Sequence, residues 1–107
     1  MKLALFHPKA RDAIREFPED VRREFGKVIF DLQKGEKLSM PLSRPMSSVA
    51  AGVEELRVRD RSGAYRVVYA LVQRGTVHVL HGFKKTTQST SARNLDLARM
   101  RLKEVRS

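Results

Sequence analysis

Three short apolar runs lie between Glu54 and Lys85, EELRVRDRSGAYRVVYALVQRGTVHVLHGFKK, separated by the glycine turns Ser62-Gly63-Ala64 and Arg74-Gly75-Thr76. Alternating or β-branched runs broken in this way predict an antiparallel three-strand meander. In the first run Leu56 and Val58 alternate with Glu55, Arg57 and Arg59, so at period two the apolar pair faces a core and both arginines face solvent. Upstream, the apolar run from Lys2 to Phe6 predicts a strand that joins the same sheet. Pro8 opens a first amphipathic helix to about Glu16, because Ala10, Ala13, Ile14 and Phe17 recur at i, i+3, i+4 and i+7. Pro18 ends that helix, and Pro18-Glu19-Asp20 begins a second whose buried stripe is Val21, Phe25, Val28, Ile29 and Leu32, with Gly35 as its stop. Its other faces, with Arg22, Arg23, Glu24 and Lys27, read as solvated surface.

Periodicity breaks down from Glu36 to Gly52, where Pro41, Pro45 and several serines interrupt scattered apolar residues. This stretch reads as a loop, either packed through Leu38, Met40 and Leu42 or mobile and functional. After the meander, Thr86 to Ser91 supplies polar capping residues. Leu95, Ala98, Leu102 and Val105 then space a third helix with Arg99, Arg101, Lys103 and Arg106 around it. The expected fold is α+β, in the order β-α-α-β-β-β-α, as one domain over residues 1–107.

Charge narrows the partners. The chain carries 22 Lys and Arg against 12 Asp and Glu, a formal charge of +10 with a sequence pI near 10.7. Such a balance favours a polyanion through counterion release, nucleic acid first, without choosing between RNA and DNA. With no cysteine, neither a disulfide framework nor a thiolate metal site can form. His7, His78 and His81 show no helical metal spacing, so no metal and no cofactor are expected. The N-terminal MKLALFHPK is too short for a signal-peptide core and no 18-residue apolar run exists, which predicts a cytoplasmic protein.

Four segments carry a resemblance: EFPEDVRREFGKVIFDLQKGEK, GVEELRVRDRSGAYRVVYA, VHVLHGFKKTTQ and RNLDLARMRLKEV. With these, nearly the whole chain resembles the RelE/ParE superfamily of toxins from bacterial toxin-antitoxin pairs, most closely its phage-derived HigB-like branch. The resemblance implies two N-terminal helices packed on a twisted antiparallel sheet, and a ribosome-dependent mRNA endonuclease that inhibits translation. It also implies an antitoxin partner with a helix-turn-helix domain, alongside the ribosome and mRNA. The chain departs from the family pattern at Thr86-Thr87-Gln88-Ser89, where further lysines are common, and has no aromatic residue after Phe83. A gyrase-directed toxin of the ParE kind and a non-catalytic RNA- or DNA-binding module are the alternatives.

The chemistry needs a base for the 2′-hydroxyl proton, an acid for the 5′-oxygen and cations for the charge on phosphorus, all without a metal. Arg66 is the first choice to hold the scissile phosphate, since guanidinium binds phosphate bidentately and stays charged; it is expected to face solvent. Arg57, Arg59 and Arg61 extend the clamp. His81 is the residue of the cluster that titrates near neutral pH, so it is expected to exchange protons. Lys84 positions phosphate, and Lys85 does so or takes an acid-base role if desolvation lowers its pKa. Tyr65 and Tyr69 share a strand face with Val67 and are expected to be core.

Overall fold

The computed structural model describes residues 1–72, 75–86 and 90–106. Its elements are β1 (Leu3–Phe6), α1 (Pro8–Arg15), α2 (Glu19–Gln33), β2 (Ser43–Pro45), β3 (Val53–Asp60), β4 (Gly63–Val72), β5 (Thr76–Lys85) and α3 (Ala92–Arg106). They build one five-stranded sheet in the order β1-β5-β4-β3-β2. The meander is antiparallel from β2 through β5, while β1 adds in parallel to β5, with Leu3 opposite Thr76 and Phe6 opposite Val79. The turns need the backbone that glycine supplies: Gly63 sits at φ +147° and Gly75 at φ +80°. Gln73 and Arg74 of the second turn, Thr87 to Ser89 of the capping segment, and Ser107 lie outside the described residues.

Each sheet face has its own core. Phe17, Val21, Phe25, Val28, Ile29 and Leu32 from the α1–α2 side pack on Leu56, Tyr65, Val67, Tyr69, Val77 and Val79. On the opposite face Ala98 and Leu102 of α3 pack on Met46, Val53, Val68, Ala70 and Leu80. The expected α+β fold is the one observed, and Tyr65 and Tyr69 are core as expected. Among the described residues no helix is long and apolar enough to cross a membrane.

The predicted loop contains a strand. In β2, Ser43, Arg44 and Pro45 pair with Leu56, Glu55 and Glu54. A strand this short, polar and ended by proline has no alternation to read, so only its edge position in the sheet makes it visible. Ser43 is buried and its hydroxyl donates to Glu54 Oε1 at 2.6 Å while sharing a hydrogen bond with the Tyr69 hydroxyl at 3.1 Å. Leu38 and Leu42 pack against the α1–α2 core, whereas Met40 is exposed.

Strand β5 carries a bulge. Val68 pairs with His81 but the next residue, Tyr69, pairs with Val79, leaving Leu80 as the extra residue. The bulge changes the phase of the strand, so that Val77 and Val79 face α1 and α2, His81 faces α3, and Gly82 returns to α1. A Cβ on Gly82 would meet Ile14 Cγ1 at 2.7 Å and Phe17 Cζ at 3.5 Å. Gly82→Ala should therefore destabilise the chain by about 1–3 kcal/mol through overpacking. Urea unfolding checks this, and a variant as stable as wild type would show that α1 does not rest directly on β5.

Candidate functional site

Strand register places Arg57, Arg59, Arg66 and Lys85 of the sequence-predicted cations on the sheet face that α3 partly covers. Arg57 stands opposite Arg66, which stands opposite Phe83; in the next row Arg59, Ala64 and Lys85 line up. In the row nearer α3, Arg44, Glu55, Val68 and His81 line up. Directly opposed arginines repel, and the cost rises with burial. The structure thus brings together Arg57, Arg59, Arg66 and Lys85, and adds Arg44 and Glu55, which the sequence reading had not singled out.

Arg66 is not the solvent-facing residue expected, being only 3 % exposed. Its Nε lies 3.3 Å from Oε1 of Glu55, itself 2 % exposed, and its Nη1 donates to the Tyr65 carbonyl at 3.2 Å. The Nε makes no hydrogen bond, so a buried guanidinium keeps an unused donor. Burial first, then the charges of Arg57, Arg59 and Arg44, lower its pKa against the opposing pull of Glu55. A cleft of about 300 Å³ lined by Pro41, Leu42, Arg57, Val58, Arg59 and Arg66 opens beside it, ahead of the start of β2, where β3 is uncovered. Lys85 is also pushed down, by burial and then by Arg66 and Arg57. Arg44, Arg57, Arg59, Arg66 and Lys85 thus form a cationic field around one internal carboxylate.

His81 is not available as the free acid-base group the sequence suggested. It is 6 % exposed, and Arg101 Nη1 lies 2.9 Å from its Nδ1. Guanidinium can only donate, so Nδ1 must accept, the imidazole is neutral, and Nε2–H donates to Asn94 Oδ1 at 2.6 Å. Arg101 is itself 5 % exposed, and the same Nη1 donates to the Leu80 carbonyl at 3.0 Å. It was expected on the outside of the third helix. Its spacing, i+3 from Ala98 and i−4 from Val105, places it on the buried stripe, a signal that its charge obscured. Phe83 stacks on His81 with centroids 5.2 Å apart.

Two further expected contacts fall elsewhere. Lys84 projects to the other face of the sheet, where its Nζ lies 5.8 Å from the Tyr65 ring centroid and its Cε covers Gly63. Arg61 sits exposed in the turn between β3 and β4, beyond the cationic rows.

Residues 12–103 match the family described as phage derived protein Gp49-like. The chain belongs to the Gp49-like family. Comparison with curated protein sequences finds no match. Among solved structures, this Gp49-like chain is similar to the isolated RelE toxin of Escherichia coli, at 18 % identity and a TM-score of 0.58 over 94 % of this chain and 99 % of that one. It is also similar to a chain of the RelBE2 toxin-antitoxin complex of Mycobacterium tuberculosis, at 21 % identity and a TM-score of 0.56, over 78 % and 98 % of the two chains. A chain of the intact Escherichia coli RelBE toxin-antitoxin complex gives 20 % identity and a TM-score of 0.52, over 81 % and 100 %. The Gp49-like chain therefore has the RelE fold.

The His81 geometry has a consequence for stability. Burial lowers its pKa from the ordinary 6.5, opposed by the Asn94 hydrogen bond and reinforced by Arg101 and Arg93. Below that ordinary value the unfolded chain takes up a proton that the folded Gp49-like chain refuses. The contribution of His81 is thus complete above about pH 6.5 and is lost as the pH falls, by at most about 1.4 kcal/mol per pH unit. Urea unfolding between about pH 8 and about pH 5 should show a shallower pH dependence in His81→Gln than in wild type. Equal slopes would show that the imidazole is not held neutral.

Proposed function

We propose that this chain is the toxin of a toxin-antitoxin pair, a single-domain, ribosome-dependent mRNA endonuclease whose substrate phosphate binds the cationic face. The observation that carries the reading is the convergence of Arg57, Arg59 and Lys85 on the buried Arg66 guanidinium beside an open cleft. RNA cleavage of this class forms a bond from the 2′-oxygen to phosphorus and breaks the bond to the 5′-oxygen, leaving a cyclic phosphate and a 5′-hydroxyl. The 2′-hydroxyl loses its proton to solvent water, and the 5′-oxygen gains one from Lys85. Arg66 and Arg57 hold the non-bridging oxygens as charge builds on them, and do so without reorganising because the strands fix their origins. Lys85 replaces His81 as the proton-exchanging residue: its lowered pKa brings an ammonium closer to the range in which it can give a proton to a leaving oxygen.

RNA on the ribosome is the substrate reading, and cation density supports it. An antitoxin partner is supported by the RelE fold, seen in RelBE toxin-antitoxin complexes. Acidic side chains covering the arginine rows would satisfy that face, and the resemblance to the HigB-like branch implies a partner with a helix-turn-helix domain.

Arg66→Ala tests folding before it tests catalysis, because it strands the buried Glu55 carboxylate at a cost of about 3–5 kcal/mol. Arg57 is only half-buried and gives the cleaner variant. On programmed ribosomes, Arg57→Ala should cut mRNA about 10²–10³-fold more slowly with an unchanged melting temperature. RNA affinity should fall about a hundredfold between about 50 and 200 mM salt if about five phosphates are contacted, with a smaller salt slope in Arg57→Ala. Full cleavage by the variant, or affinity flat in salt, would overturn the assignment.

A further inference from the structure

The buried carboxylate of Glu55 stands where a phosphate-binding face would ordinarily exclude negative charge. Its two oxygens are used differently: Oε1 faces Arg66 Nε at 3.3 Å, and Oε2 accepts the Thr90 hydroxyl at 2.8 Å. Thr90 belongs to the segment between β5 and α3, and lines a cleft of about 360 Å³ with Arg44, Pro45, Met46, Ser47, Ser48 and Leu95. We propose that Glu55, held by Thr90, is a positioning residue for the phosphate site, aiming the Arg66 guanidinium at the scissile phosphate while its own charge is anchored away from it.

Geometry supports the division of labour. Arg57 and Arg66 are opposed across β3 and β4, so without an internal anion the Arg66 guanidinium would be driven from its neighbours toward solvent. Glu55 sits two residues before Arg57 on the same strand face and diagonal to Arg66, close enough to counter that repulsion. The contact is made at the buried Arg66 Nε without a hydrogen bond, so the carboxylate orients the guanidinium from that side by charge. Thr90 keeps the second oxygen turned to the α3 side. A carboxylate free to swing would compete with phosphate for the same arginine.

This inference rests on the endonuclease reading, and steady-state cleavage of mRNA on programmed ribosomes separates the two. Wild-type chain that does not cleave sinks the endonuclease reading and this inference with it. If wild type cleaves, Glu55→Gln, which keeps shape and removes charge, should lower kcat about 10–100-fold while ribosome affinity stays the same or tightens, since net positive charge rises. A purely structural role would lower the melting temperature and the active fraction together and would not divide kcat from KM in this sense. Thr90→Val removes only the hydroxyl and should lower kcat about 3–10-fold at unchanged KM and melting temperature. Wild-type kcat in folded Glu55→Gln, or in Thr90→Val where the glutamine variant does not fold, would overturn the proposal.

Discussion

The phase of strand β5 decides what every neighbouring element can do. Period-two alternation carried unbroken from Val77 would turn His81 toward the α1–α2 core and Gly82 toward α3. Leu80, inserted as the extra residue opposite the Val68–Tyr69 step, reverses that assignment. Gly82 then lies where Ile14 approaches too closely for a side chain to fit unless it shifts, and His81 comes within reach of Asn94 and Arg101. The same reversal decides which of the two adjacent lysines takes which face: Lys84 lies over Tyr65 and Lys85 enters the arginine rows.

Buried charge follows from that arrangement. Helix α3 rests on β5 and β4 but leaves the β3 side of the face open, so cations near its border are neither solvated nor sealed. Arg101 lies against the sheet, where its Nη1 donates to a carbonyl and to the imidazole nitrogen of a neutral His81, while its Nε is buried without a hydrogen bond. Arg66 lies at the border and has a carboxylate instead. An isolated buried cation costs several kcal/mol, so each arginine needs its acceptor fixed in place. Both acceptors are fixed by the chain that leads into α3 and its first turn, through Thr90 to Glu55 and through Asn94 to His81.

Much of this architecture is legible in the residues and the reason is periodicity. Helices α1 and α2 follow from apolar spacing between prolines, the meander from alternation between glycine turns, and α3 from Leu95, Ala98, Leu102 and Val105. Strand β2 escapes because three residues cannot display a period. The composition of the site was legible too, since Arg57, Arg59, Arg66 and Lys85 share a strand parity once the hairpin register is set. Burial was not legible. Alternation tells which residues share a face but not whether a helix from later in the chain covers it, so Glu55, Arg66, His81 and Arg101 all read as surface groups. The bulge leaves no composition signal around Leu80, and the sides taken by His81 and Lys84 depend on it.

The covering helix explains why a cationic face of this kind can be rigid without being closed. Phosphate recognition by arginine gains when the guanidinium is already aimed, because little ordering remains at the moment of binding. On an open sheet face, long side chains remain mobile and opposed arginines splay apart. Here the residues entering α3 grip the border of the face from one side, and β2 with its preceding loop flanks the other. Between them Arg66 is immobilised, while Arg57 and Arg59 stay reachable from the cleft side and Lys85 is only partly buried. An arrangement that buried the whole row would need a carboxylate for each arginine, and the positive field that attracts a polyanion would vanish. One internal carboxylate, shared among several cations, fixes the deepest of them and leaves the field intact.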